Sequence, residues 1–490
     1  MILDYFKTAQ AAAIGTLAAV MTACAVGPDY HKPTEDLAPF HNKVPVAASG
    51  TAAPAIDAWW LGFDDPMLAQ VVQRALNQNL DLAASIARVQ QARAQASAAG
   101  AALLPSGTLD ASGSYARQSV RSPLGEIAST VPGYSRNFKD WNVGPSASWE
   151  LDLFGGLRRA GAAARAEAEA AEADQAGTRI IVAADAADAY LLIRGYQARL
   201  AIARQQISDD EHLLQLVHDR YSAGAATGRE IAQADALLKQ ARASVPPLSI
   251  GLEQQMNRLD VLMGVQPGTY AGELSQVRDI PAVPRVPANN EPTDMLRRRP
   301  DIIAAERRLA ASNEQIGAAL SDYYPKFSLA GALGFDSSGS QLLSSQAFQA
   351  VGTGAIRWRL FDFGRVDAEV KQAKGGNAQA LAVYRQSVLK AAEDVEDSVT
   401  VLVQTQLRVS EVQEQVDALI KARDLSEQAY KAGSITLTDV LDADNQLLTA
   451  RDESDATRAD AARAAVGVYR ALGGGWTPGP VTQQSEPRTP

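Results

Sequence analysis

The segment WELDLFG, residues 149–155, decides how this chain is interpreted, because a related segment recurs later in the chain. The second copy is WRLFDFG, residues 358–364, where Trp, Leu, Phe and Gly recur at a constant offset of 209. Upstream of these segments the offset becomes 220. The further matched pairs are Asp81/Asp301, Arg88/Arg308, Pro105/Pro325, Tyr221/Tyr430, Gly224/Gly433, Thr227/Thr436, Asp235/Asp444 and Gly264/Gly473. An offset that stays constant over each of two long blocks indicates an internal duplication.

Each copy has the same order of predicted elements. A helix ends before a proline, two segments alternate apolar and polar residues as strands do, and a long helix, a tight turn and a final helix follow. At 1.5 Å per residue, a helix of about 65 residues would be about 100 Å long and must pack in the manner of a coiled coil. The predicted helices are 67–104, 156–221 and 229–264, then 293–324, 365–430 and 438–472; the strands are 108–120, 139–154, 326–335 and 348–361.

These elements give a predicted domain organisation, set out here in chain order. Residues 1–23 form a signal peptide, 24–66 an N-terminal segment, 67–264 the first repeat, 265–292 a Pro-rich linker, 293–473 the second repeat and 474–490 a tail. The change of offset puts an 11-residue length difference between the two strands of each repeat, where a connecting loop tolerates it best.

Composition excludes several classes of protein. The net charge of −10 and the pI near 5.1 argue against a nucleic-acid partner. One cysteine and four scattered histidines provide no metal-ligand cluster, and the sequence has neither a phosphate-binding loop nor a nucleophile elbow. We therefore predict no enzymatic activity, no metal site and no cofactor. Beyond the signal, no apolar stretch reaches 18 residues, so no helical membrane span is expected.

The single cysteine, Cys24, follows a short apolar run typical of a secretory signal. Residues 21–24, MTAC, resemble a bacterial lipobox, in which cleavage precedes a cysteine that becomes lipidated. Ala25 in the next position favours export to the outer membrane. The alternative is an ordinary signal peptide beside an incidental thiol.

The predicted strands have the length of membrane-spanning strands and carry aromatic residues near their ends. Four strands cannot close a barrel, and an open sheet edge is not tolerated in lipid. Either the strands form a soluble sheet, or several chains share one barrel, three chains supplying twelve strands.

Five further segments resemble the outer-membrane efflux lipoproteins, the outer components of tripartite pumps with a TolC-like fold. They are CAVGPDYHKP (24–33), WWLGFDDPML (59–68), RRRPDIIAAERRL (297–309), GAALSDYYPKFSLAGALG (317–334) and YKAGSITLTDVLDADNQLL (430–448). The resemblance covers nearly the whole chain. It implies an α+β fold: a homotrimer with a shared 12-stranded transmembrane β-barrel above a long periplasmic α-helical barrel, with residues 265–292 in an equatorial belt. It places the protein in the bacterial outer membrane, with a covalent lipid on Cys24.

The same resemblance implies partners and a gate. A periplasmic adaptor would dock on the turns at Gly224, Thr227, Gly433 and Thr436, in a pump with an inner-membrane transporter of the RND type. Asp439 and Asp442 match positions that form acidic rings at the narrowest point, and Asp444 is a weaker candidate. Carboxylates crowded in such a ring should raise one another's pKa. Asn445 occupies a position where some members have an arginine, which argues against a charge-paired gate there.

The predicted function is that of a passive, gated exit duct for small molecules. Two alternatives stay open. A type I secretion conduit would share the fold, whereas a coiled-coil envelope scaffold would have no pore. The sequence does not identify the substrate.

Overall fold

The computed structural model describes residues 25–34, 38–42, 55–286, 296–339 and 341–477. The chain forms two compact units, each assembled from three separate stretches. The first unit contains the described parts of Met1–Pro33, Gln90–Ala170 and Ala305–Val383. The second contains those of Thr34–Val89, Ala171–Ala304 and Tyr384–Pro490. Cys24, the signal peptide and the end of the tail lie outside the described residues.

The predicted order of elements is present in both halves of the chain. In the first half, a 3₁₀ helix (Ile56–Phe63) precedes α1 (Pro66–Gln78), α2 (Leu80–Ala101), β1 (Ser106–Arg117), α3 (Pro123–Ser129), β2 (Asn137–Leu151), α4 (Gly156–Ser222) and α5 (Gly228–Leu262). A short helix, α6 (Ala271–Leu274), follows. In the second half come α7 (Pro300–Ser321), β3 (Lys326–Ser337), β4 (Phe348–Arg357), α8 (Arg365–Lys431) and α9 (Leu437–Ala471). The long helices α4 and α8 each have 67 residues, and α5 and α9 each have 35.

The first predicted helix is wrong in one respect, because Asn79 divides it into α1 and α2. Asn79 has an extended backbone, and its side-chain oxygen accepts a hydrogen bond from the Leu82 amide at 2.9 Å, as a helix N-cap does. Its side-chain nitrogen donates to the Leu262 carbonyl at 2.9 Å. The apolar periodicity continues across the break, which is why the sequence pattern did not reveal it.

The four strands form one antiparallel sheet in the order β1-β2-β3-β4. Leu329 faces Trp149 on one side and Gly354 on the other, and alternate positions along each strand carry apolar side chains. The intervening positions are mostly small or polar, as in the pair Thr108 and Ser146. The large apolar side chains exposed on these strands include Leu109, Tyr115, Trp141, Leu329, Leu333, Phe348 and Ile356. The sheet is therefore amphipathic, and a single chain leaves its apolar face uncovered.

The connection between β1 and β2 carries the extra length that the sequence places there. It includes the helix α3, which was not predicted, and Ser122 caps this helix by accepting a hydrogen bond from the Gly125 amide at 3.3 Å.

The duplication is also visible in a repeated hydrogen bond in the first unit. The indole nitrogen of Trp149 donates to the Leu103 carbonyl at 2.9 Å, and that of Trp358 donates to the Tyr323 carbonyl at 3.0 Å. Both pairs are related by the offsets found in the sequence, so each repeat fastens its strands to the helix before them in the same way.

The RRRPD segment forms a buried charged junction in the second unit. The Arg299 guanidinium donates to the Ala391 carbonyl at 3.3 Å, to the Ala471 carbonyl at 2.8 Å, and to Asp301 and Asp394, both at 2.8 Å. These bonds join the start of α7 to α8 and to the end of α9. The segment that supports the family resemblance therefore has a structural role.

The core of the second unit contains a large aromatic contact between the 3₁₀ helix and α9. Trp59 of the 3₁₀ helix is 1% exposed and stacks on Tyr469 of α9 with ring centroids 5.4 Å apart. Each helix in the described part of the chain is either too short or too polar to cross a membrane.

Candidate functional site: the turn end of the helical unit

The predicted gate lies in the second unit, where two tight turns connect α4 to α5 and α8 to α9. We call the two turns, with the helix residues packed against them, the turn end. Gly224 has φ +73° and Gly433 has φ +77°, a left-handed conformation that glycine adopts without a Cβ penalty. The Ala225 amide donates to the Arg220 carbonyl at 2.8 Å, and the Ser434 amide to the Ala429 carbonyl at 2.9 Å. Both long helices therefore end in a Schellman-type cap, which explains both glycines.

The helices after the turns begin with equivalent caps. The Thr227 amide donates to the Glu230 carboxylate at 2.6 Å, and the Thr436 amide donates to Asp439 Oδ2 at 2.9 Å. The Thr436 hydroxyl also donates to Asp439 Oδ2, at 2.7 Å. The carboxylates thereby give the backbone amides of Thr227 and Thr436, which have no partner within their helices, a hydrogen-bond acceptor.

Apolar side chains from both repeats hold the turn end together. The buried members are Leu213, Val217, Ala234, Tyr430, Leu437 and Val440. They belong to α4, α5, α8 and α9, so the four helices share one small core. A change in the packing of either turn must therefore disturb both repeats.

A cation–aromatic contact joins the ends of the two long helices. The Arg220 guanidinium lies 4.5 Å from the centroid of the Tyr430 ring and donates to the Tyr430 carbonyl at 3.1 Å. Arg220 thus satisfies a carbonyl at the end of α8 and places a positive charge near the negative end of that helix.

The three candidate aspartates occupy different environments. Asp439 and Asp442 are exposed, three residues apart on α9. Asp444 is buried, and its Oδ1 accepts a hydrogen bond from Arg423 Nε at 2.9 Å. Asp439 and Asp442 can interact with solvent and ions. Asp444 instead links α9 to α8 through its hydrogen bond with Arg423.

The pKa of Asp439 is lowered within the single chain, because its carboxylate accepts the side-chain and backbone hydrogen bonds of Thr436. This direction is opposite to the rise expected from crowding in a ring.

Sequence reasoning missed a buried polar cluster next to the turn end. Asp210 of α4 is 2% exposed; its Oδ1 accepts a hydrogen bond from Gln206 Nε2 at 2.7 Å, and its Oδ2 has no hydrogen-bond partner within the described residues. Arg423 of α8 binds Asp444 and also lies 2.9 Å from Glu427. Burial raises the pKa of Asp210 to about 6, and burial also raises the pKa of Asp444 against the opposing effect of Arg423.

Only a weak sequence signal could have indicated this cluster. Asp209 and Asp210 are adjacent, and each lies four residues after a glutamine, at 205 and 206. Spacing alone does not show which of the two carboxylates is buried, because that depends on how α4 packs against its neighbours.

The segment that follows Cys24 is held on the helices of the first unit. Residues 25–33 pass so close to α7 that a Cβ at Gly27, which has φ +109°, would lie 2.6 Å from Gly317 Cα. The Tyr30 hydroxyl donates to Glu306 Oε1 at 2.7 Å. The chain is therefore fixed in position within a few residues of the proposed lipid acceptor.

An antiparallel amphipathic sheet with two pairs of 67- and 35-residue helices defines a class of duplicated outer-membrane channels. The chain belongs to the outer membrane efflux protein family, whose model matches residues 71–265 and 292–474.

Two relatives show how far the similarity extends. The pyoverdine export outer membrane protein OpmQ of Pseudomonas aeruginosa is 32% identical over 437 residues, covering 88% of this chain and 90% of that protein. Nodulation protein T of Rhizobium leguminosarum bv. viciae is 29% identical over 486 residues, covering 97% and 96%.

Solved structures agree with the fold. The outer-membrane channel OprN superposes with a TM-score of 0.82 at 34% identity, covering 93% of this chain and all of that one. The Campylobacter jejuni CmeC outer membrane channel gives a TM-score of 0.83 at 22% identity, which supports the fold alone. The protein has the α+β fold of TolC-like channels. It is an outer-membrane efflux-pump component with a large periplasmic part, and its relatives are channel and efflux proteins.

Proposed function

We propose that this chain forms a homotrimeric, passive exit duct for small molecules, opened at its turn end by a periplasmic adaptor in a pump with an inner-membrane transporter of the RND type. The observation that carries the proposal is the sheet. Within the described residues β1 pairs only with β2 and β4 only with β3, so both outer edges lack a partner strand. Its apolar face is also uncovered.

Three chains would remove both problems at once. Pairing β4 of one chain with β1 of the next closes twelve strands, leaves no edge exposed to lipid, and turns one face to the bilayer and the other to water. Light scattering of the detergent-solubilised protein, with the detergent contribution subtracted, should give the mass of three chains. A stable monomer would refute the shared barrel and favour the scaffold alternative.

The turn end is the proposed gate and adaptor site. Exposed residues of its two turns, including Gly224, Thr227, Gly433 and Thr436, offer a surface at which an adaptor can bind. Rings of carboxylates select cations in a pore, and three copies of Asp439 and Asp442 would supply six. Asp444 is assigned a structural role instead, because it is buried and paired with Arg423.

Bilayer conductance separates the charge effect from the capping effect. Asp442→Asn removes a charge that caps no helix, and it should lower the cation preference of the channel. Thr436→Ala removes a capping hydroxyl of α9 without changing its charge, and should leave the preference unchanged. Equal selectivity of Asp442→Asn and the unmodified protein would refute the ring.

A covalent lipid on Cys24 is part of the proposal. Cys24→Ser should abolish incorporation of labelled palmitate, whereas labelling that persists would refute the lipobox interpretation. The relatives are named for cargoes as different as pyoverdine and toluene. We therefore assign to this duct no chemical recognition of its cargo beyond size and charge.

A further inference from the structure

The buried cluster beside the turn end contains a carboxyl group that its surroundings do not neutralise. Asp210 is almost fully buried, and its Oδ2 has no hydrogen-bond partner within the described residues. An ionised carboxylate in such a place loses its hydration without gaining a compensating partner. Its other oxygen is held by Gln206, a neutral donor.

The Arg423 guanidinium acts electrostatically on Asp210, but it is already engaged by other carboxylates. Arg423 donates from Nε to Asp444 Oδ1 at 2.9 Å, and its terminal nitrogen lies 2.9 Å from Glu427 Oε2 and 3.5 Å from Asp424 Oδ1. One guanidinium therefore pairs with three carboxylates. A fourth carboxylate, that of Asp210, interacts electrostatically with the same guanidinium.

Three charged groups act on Asp210 directly: Asp209 on α4, Arg423 on α8 and Asp444 on α9. Further charged groups lie next to these: Glu211 on α4 pairs with Arg242 on α5 at 2.6 Å, and Arg423 also contacts Asp424 and Glu427 on α8. Excess negative charge remains at neutral pH, because only two of these groups are cationic.

We propose that Asp210 is a proton-controlled latch: uptake of a proton at its unpartnered oxygen stabilises the packing of α4 against α8 and α9 and so holds the turn end closed. The neutral acid removes the buried charge and the repulsion from Asp444, and it gives Oδ2 a proton to donate. Loss of that proton has the reverse effect. The latch rests on the proposed function, in which the turn end is the part that opens.

The direction of the pH dependence follows from the linkage between proton binding at Asp210 and opening of the turn end. Burial raises the pKa of Asp210 from 3.8 to about 6. A raised pKa stabilises the packed state fully below the unfolded value, and this stabilisation is lost as the pH rises through about 6. If opening exposes Asp210 to water, these values predict an opening constant about tenfold larger at pH 7.5 than at pH 5.

Amide hydrogen exchange of the purified full-length protein in detergent measures this opening. Exchange in peptides covering 206–217 and 437–447, corrected for the intrinsic pH dependence, should show the tenfold change. Asp210→Asn should reduce the change to less than about twofold, because the titrating group is gone.

Asp209→Asn is the matched control. Asp209 is a neighbour on the same helix and accepts a hydrogen bond from Gln205 at 2.9 Å, just as Asp210 does from Gln206. It is only partly buried, and its variant should keep most of the tenfold change, because burial, which this substitution leaves in place, is the largest cause of the raised pKa of Asp210. A tenfold change that survives in Asp210→Asn, or disappears in Asp209→Asn, would overturn the latch.

Asp444→Asn is the second variant, which tests the proposal even if Asp210→Asn does not fold. It frees Arg423 to neutralise Asp210, and the pH dependence should then weaken and move to lower pH; an unaltered profile would overturn the latch. Exchange needs no membrane and no ion current, so failure of the selectivity experiment on Asp442 would leave this result unaffected.

Discussion

Removal of the Arg423 guanidinium should weaken the turn end far more than removal of an equally close ion pair elsewhere on α8. In Arg423→Met the apolar stem is kept, while Asp444 loses the donor at 2.9 Å and stays buried. Leaving one partner of a buried pair without compensation costs roughly 3–5 kcal/mol. Because the Arg423 side chain is 26% exposed, we expect the lower end, about 3 kcal/mol.

Arg408→Met is the matched control on the same helix. Arg408 contacts Glu453 at 2.6 Å, a shorter distance than that between Arg423 and Asp444, but the Arg408 side chain is 59% exposed and that of Glu453 is 37% exposed. Such a surface pair contributes about 1 kcal/mol or less. The comparison therefore tests whether burial or distance decides the contribution of an ion pair.

Hydrogen exchange at pH 7.5 provides the assay. A loss of about 3 kcal/mol should raise the opening constant of amides in 437–447 about a hundredfold in Arg423→Met, against about fivefold or less in Arg408→Met around residue 453. The double variant Arg423→Met/Asp444→Asn should recover more than half of the loss, because no charge is left unpaired. Equal effects of the two single substitutions, or no recovery in the double variant, would refute the reasoning.

Two more predictions concern the cap and the core. Thr436→Ala should destabilise the start of α9 by about 1 kcal/mol at neutral pH, measured by exchange of its first-turn amides. Because the pKa of Asp439 is lowered, this difference should shrink as the pH falls through that pKa; a constant difference would exclude the cap as its cause. Trp59→Ala should cost about 3–5 kcal/mol, since the ring is 1% exposed and stacked on Tyr469, and Trp59→Phe should cost less. Denaturant unfolding followed by circular dichroism measures both Trp59 variants, and equal midpoints would contradict the packing argument.

Most of the repeated architecture could be predicted from local patterns. The period-two alternation before Trp149 and Trp358 gave four strands, and the long 3.6-residue periodicity gave α4 and α8 nearly to their ends. Prediction failed where a single side chain overrides the pattern. Asn79 breaks a helix because its amide is bound to the carbonyl of a residue far along the chain, which the local sequence does not contain.

The turn end shows the same division. Its two glycines and its Thr-x-x-acid caps are local signals, and the structure places them in the predicted turns. The environments of the acidic residues are not local. Asp442 and Asp444 are two positions apart, yet one faces solvent and the other is buried against Arg423.

The sequence by itself determined the duplication, the order of the elements and the membership of the family, because each depends on residue types at fixed spacings along the chain. Tertiary structure decided which carboxylates are exposed, capped or buried, and hence which of them can titrate near neutral pH. The physical reason is that the pKa and the partners of a side chain depend on the burial and charge supplied by other helices. In Asp210, those helices come from both copies of the repeat.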